Sequence, residues 1–167
     1  MAIDRVEFMT LDTLPPATTP EEQVQLNMLK QLALHPELFR LVFFGPLPAD
    51  IRLHAKYALI NKWQNEYDVQ NINISEFTQE LISAIHNGTY ISDMKHYEEP
   101  DILLVDDLQF ITGKDSTQEA FLASVLKPRL ESKKLTVLIS EYSYEYLSVA
   151  LRDDLRNLLR LGFHEPN

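Results

Sequence analysis

Hydrophobic positions along this chain fall into two alternating kinds of block. Runs in which every residue is apolar, Leu41-Val42-Phe43-Phe44 and Ile102-Leu103-Leu104-Val105, predict strands buried on both faces, as at the centre of a parallel sheet. Val69 to Ile74 and Thr136 to Ile139 predict two more strands. Between the strands, apolar residues recur at helical spacing. Ile51, Ala55, Ala58, Leu59 and Trp63 mark a helix from about Asp50 to Glu66. Phe77, Leu81, Ile82 and Ile85 mark another, capped by Ser75 and stopped at Asn87-Gly88. Tyr90 to Tyr97 predicts a shorter helix. Ser116-Thr117-Gln118-Glu119 has the form of a capping box and opens a helix that Pro128 should kink or shorten. From Ser143 or Tyr144 the chain turns helical again. Upstream, Thr19-Pro20-Glu21-Glu22 is a second capping box, heading a stripe of Val24, Met28, Leu29 and Leu32 that Pro36 closes. Residues 1–19, with Pro15 and Pro16, read as an irregular lead-in. The alternation predicts one α/β domain over residues 20–167, a parallel sheet with helices on both faces.

Composition narrows the function classes. The chain has 167 residues, 45% hydrophobic and 24% charged, enough for one self-sufficient core. It has no cysteine, which excludes disulfides, thiolate metal sites and cysteine nucleophiles. No two of its five histidines have a ligand spacing, and no metal is expected. No apolar run reaches the roughly 18 residues of a membrane span, and the start, Met1-Ala2-Ile3-Asp4-Arg5, is no secretory signal, so the cytoplasm is expected. A net charge of −10 opposes non-specific nucleic-acid binding.

Chemistry is expected just beyond the carboxyl ends of the strands. There the third strand ends in Asp106-Asp107. In a nucleotide hydrolase such a pair orients hydrated Mg²⁺ and polarises the attacking water; in an ordinary loop it is only an acidic start. The longer string, Asp101 to Phe110 and then Gly113 to Phe121, closely resembles the Walker B segment and following helix of the DnaA family of bacterial replication initiators. Ile74-Ser75-Glu76-Phe77 with Leu81, Ile85, Asn87 and Gly88 is similar to that family's preceding helix. Val137-Leu138-Ile139-Ser140-Glu141 resembles its sensor-1 strand, with Glu141 where the family has Asp. The resemblance spans about residues 20–165 and implies the α/β core of an AAA+ ATPase, a P-loop NTPase-like fold.

The family's phosphate loop has the form G-x-x-x-x-G-K-T, whereas this chain reads Gly45-Pro46-Leu47-Pro48-Ala49-Asp50-Ile51-Arg52. Only Gly45 keeps the pattern. Pro46 and Pro48 each remove a phosphate-binding N–H, Asp50 brings a carboxylate to an anion site, and Ile51 lacks the lysine charge. Against this stands a reading in which Arg52 takes over from the lysine. The arginine-finger position falls on Leu158, with Arg160 nearby, and the chain ends at Asn167, about where the family's helical lid would begin. A core without lid or duplex-binding domain is therefore expected.

The resemblance also implies single-strand DNA contacts at Ile82 and Lys114, against which stands the plain reading of a core isoleucine and a solvated lysine. Arg152, Arg156 and Arg160 at i,i+4 spacing form a positive stripe beside Asp153 and Asp154. The Gly45–Arg52 loop, stiff and carrying Leu47, suits a protein contact. Together these features predict a nucleotide-independent interaction module in replication initiation or its control. It would use neither ATP nor Mg²⁺ and would bind an AAA+ replication protein, such as DnaA or a helicase loader, or a second copy of itself. The alternatives are an ATP-binding initiator or loader with an atypical loop, and a single-strand-binding accessory protein.

Overall fold

A computed structural model describes residues 6–111 and 116–159. Four strands, β1 (Leu41–Phe44), β2 (Val69–Asn73), β3 (Ile102–Asp106) and β4 (Leu135–Ile139), form one all-parallel sheet in the order β1-β4-β3-β2. β1, β3 and β4 are buried throughout. The edge strand β2 is only partly covered, with Gln70 and Asn71 exposed. The uninterrupted apolar runs thus belong to strands covered on both faces.

The two faces carry two cores. Helices α1 (Pro20–Leu34) and α2 (Ala49–Trp63) pack on Val42, Phe44, Leu104, Val137 and Ile139. On the other face Phe43, Leu103, Val105 and Leu138 meet α3 (Ile74–Asn87), α4 (Tyr90–Met94) and the helical segment from Ser116 to Glu131. That segment runs as α5 (Ser116–Phe121), a π-helical stretch (Leu122–Leu126) and α6 (Lys127–Glu131). Pro128, which has no N–H to give the preceding turn, lies just after the widened stretch. The last helix, α7 (Val149–Leu159), adds Leu151 and Leu155 to the same core.

Several boundaries differ from expectation. Asn73, not Ser75, caps α3, its side chain accepting from the Glu76 N–H at 2.8 Å, so β2 ends one residue earlier. Thr19 caps α1, but Glu22 turns back to the Thr18 N–H rather than closing a reciprocal box. Past Ser143 the chain makes a 3₁₀ turn, Tyr144–Tyr146, before α7 begins. The lead-in is docked: Asn61 donates to the carbonyls of Val6 and Met9, and Leu11 and Leu14 pack against the α1/α2 core.

One basic residue of α6, Arg129, lies inside the fold. It is fully buried at the amino end of the sheet. Its five donors go to Thr136 Oγ1 and to the carbonyls of Tyr97, Pro100, Asp101 and Leu135. Burial lowers its pKa to about 10, against the pull of Asp101 and Glu98, so it stays charged at neutral pH. A lysine has three donors for these acceptors. Arg129→Lys should therefore lower the urea unfolding free energy by about 2–5 kcal/mol, from two buried carbonyls left unpaired. A loss below about 1 kcal/mol would contradict this role.

Candidate functional site

The carboxyl ends of β1, β3 and β4 deliver three loops to one place. β1 leads through Gly45, Pro46, Leu47 and Pro48 into α2. β3 ends in Asp106 and Asp107, and β4 is followed by Ser140, Glu141 and Tyr142. Gln109 ties the last two loops together. Its Nε2 donates to Asp107 Oδ1 at 3.3 Å, and its Oε1 accepts from Ser140 Oγ at 3.2 Å and the Glu141 N–H at 3.3 Å. Asp107 is left-handed, at φ 61° and ψ 35°, a conformation Asp tolerates better than most residues.

Arg52, in the first turn of α2, reaches into the middle of these loops. Its Nε lies 3.4 Å from Asp106 Oδ1, its Nη2 3.7 Å from Asp107 Oδ1 and its Nη1 3.9 Å from Glu141 Oε2. Nη1 also donates to the Leu47 carbonyl at 3.4 Å. Lys56, one turn on, places Nζ 3.7 Å from Asp106 Oδ2. The Arg52 and Asp106 side chains are each only 12% exposed, whereas Glu141 is 51% exposed. So the guanidinium meets all three carboxylates, and Asp106 has a cation on each oxygen.

Gly45, Leu47 and Ile51 of the remaining loop positions are tied into the structure. Gly45 gives its N–H to Gln25 Oε1 at 3.1 Å. A Cβ on Gly45 would lie 2.4 Å from the Tyr142 carbonyl oxygen. Leu47 donates to the Ser140 carbonyl at 3.2 Å, and its side chain is buried. This corrects the expectation that Leu47 presents a contact surface: the stiff loop folds its apolar residue into the α1/α2 core. Ile51 is likewise buried there, while Asp50 is exposed.

Other predicted residues lie elsewhere. Ile82 is 63% exposed on α3, with Ile85 and Ile91 exposed nearby, which overturns its reading as a core residue. Lys114 and Arg160 lie outside the described residues. Arg152 is half-buried, and its Nε is buried with no hydrogen-bond partner among the described residues. Glu145 is held below the usual carboxylate range by its own backbone N–H and by Ser143, with Arg152 adding to the effect. Arg156 is exposed. The described part of the arginine stripe is therefore one surface cation and one mostly covered one. Gln25, Lys56 and Gln109 were not singled out from sequence, because no short motif marks a polar side chain whose partner lies 20 or more residues away.

The family model of the bacterial DnaA ATPase domain matches residues 50–165, more than half of the chain. The chain belongs to the bacterial DnaA ATPase-domain family. The match begins at Asp50, so Gly45 to Ala49 lie outside it. A chromosomal replication initiator protein DnaA from a Nostoc species is 50% identical over 50 residues, 30% of this chain and 11% of that protein. AMPPCP-bound DnaA from Aquifex aeolicus superposes with a TM-score of 0.72 at 20% identity, covering 95% of this chain and 49% of that one. The DnaC helicase loader superposes with a TM-score of 0.68 at 15% identity, covering 97% of each. The chain thus has the AAA+ α/β core fold and spans under half the length of these DnaA proteins.

Gly45→Ala should cost about 1–3 kcal/mol in chemical denaturation, because the new methyl meets a backbone oxygen rather than a movable side chain. An unchanged midpoint would contradict the close approach of the β1 and β4 loops.

Proposed function

We propose that this chain is a DnaA-family core that acts without nucleotide, as a protein-interaction module in replication initiation or its control. The observation that carries this reading is the ion-pair cluster of Arg52 with Asp106, Asp107 and Glu141. In a family ATPase these carboxylates would serve Mg-ATP. The residues present here do not fit that group. Arg52 lies against the carboxylates, Ile51 is part of the core, and the Gly45 and Leu47 N–H groups are bonded within the protein. Pro46 and Pro48 offer no N–H at all.

What the face keeps suits a protein surface. Phe110 and Tyr142, 57% and 51% exposed, stand on the two loops joined by Gln109, beside the half-exposed Glu141. Exposed aromatic residues beside a carboxylate are the kind of group that carries protein association. The partner on this reading is an AAA+ replication protein such as DnaA or a helicase loader, or a second copy of the chain. Exposure of Ile82 supports a second reading, a single-strand-binding accessory protein, which the charge of −10 disfavours.

Addition of millimolar Mg-ATP should leave the melting temperature unchanged. A bound ligand at a hundredfold excess over Kd would stabilise the fold by about 2.7 kcal/mol, so a clear rise contradicts nucleotide independence. The substitutions Asp50→Gly and Ile51→Lys together should fail to restore binding and should destabilise the fold, since position 51 is buried. In size-exclusion chromatography the chain should co-elute with purified DnaA of its own organism. Separate elution at tens of micromolar, with no self-association, would contradict the interaction reading.

A further inference from the structure

A cation on the first turn of a helix opposes the helix dipole, and Arg52 and its first partner Asp106 are mostly withdrawn from water. Such a placement is stable only if something nearby demands positive charge. Asp106, Asp107 and Glu141 come from two strand ends, and bringing them together without a cation would set like charges against one another in a partly dry pocket. Arg52 also carries the only side-chain link described between the β1 loop and these carboxylates, because its Nη1 holds the Leu47 carbonyl while its other nitrogens face Asp106 and Asp107.

We infer that Arg52 is an internal substitute for a bound metal and phosphate: a tethered guanidinium that closes the strand-end carboxylates to divalent ions and holds the three loops in one arrangement with no ligand. The inference rests on the reading that nucleotide does not enter this site, and it deepens that reading by naming the residue that occupies the site instead. Lys56 assists by covering the second oxygen of Asp106. A divalent ion would have to displace a guanidinium attached to α2, so the native chain does not take one up. Removal of the guanidinium leaves three carboxylates that a small cation of either kind, guanidinium or a divalent metal, can satisfy.

Chemical rescue tests this. Arg52→Ala should melt below the native chain, and 20 mM guanidinium chloride or 10 mM CaCl₂ should each raise its melting temperature above a control at equal ionic strength in NaCl. A cation at tenfold excess over its Kd should give a rise of roughly 3–6 °C for a chain of this size. The native chain should gain nothing from either salt. Arg52→Lys, which keeps a tethered cation, should melt near the native chain and also gain nothing. If Arg52→Ala does not fold, Arg52→Gln takes its place in the same comparison. Equal gain in the native chain and the Ala or Gln variant overturns the inference, as does a variant that gains nothing beyond the NaCl control. Stabilisation of the native chain by Mg-ATP would instead overturn the nucleotide-independent reading, so the two failures are distinguishable.

Discussion

The guanidinium of Arg52 sits where three loops of a parallel sheet meet, and the arrangement of those loops depends on it. Asp106 at 9% exposure is the one buried carboxylate among the described residues, and it ends a strand covered on both faces. A charge in that place needs a partner of opposite sign close by. Arg52 at 3.4 Å and Lys56 at 3.7 Å supply two, both from α2, so the helix is fastened to the end of β3. Through Gln109 the same fastening reaches the loop after β4. The backbone at Gly45 completes the set by lying so near Tyr142 that no side chain fits between them.

The loop from β1 to α2 is built into the same arrangement. Ile51 is buried beside Leu47 and Ala55. Full burial of such a side chain contributes roughly 1.5–3 kcal/mol. Pro46 and Pro48 restrict the loop, while its remaining donors bond to Gln25 and Ser140. These features support one another, since a core isoleucine at 51 fixes the turn that aims Arg52 at the carboxylates.

Much of the fold was legible in the sequence because its signals are local and periodic. All-apolar runs marked β1 and β3, helical spacing marked α2 and α3, and Gly88 with φ 70° stops α3 as a left-handed cap should. Asp106 and Asp107 were legible as a pair because they follow a buried strand directly. Directions of side chains were not. Nothing near Leu47 distinguishes a loop residue that points outward from one that folds beneath its own loop. Ile82 continues a helical apolar pattern yet falls just outside the buried arc formed by Phe77, Leu81 and Ala84. Arg129 looks like any surface cation until its five acceptors, the carbonyls of Tyr97, Pro100 and Asp101 before β3 and the Leu135 carbonyl and Thr136 hydroxyl of β4, are brought around it by the sheet.

The central claim, that Arg52 and Asp106 satisfy one another in place of an outside ligand, is tested most directly by a double-mutant cycle. The unfolding free energies of the native chain, Arg52→Ala, Asp106→Ala and the double variant would be measured by urea denaturation at low salt. The account predicts that the two single losses overlap, with a coupling energy of about 1–3 kcal/mol, because removing either group strands the other in a partly dry site. Losses that add within about 0.3 kcal/mol would contradict it and show the two groups to be independent.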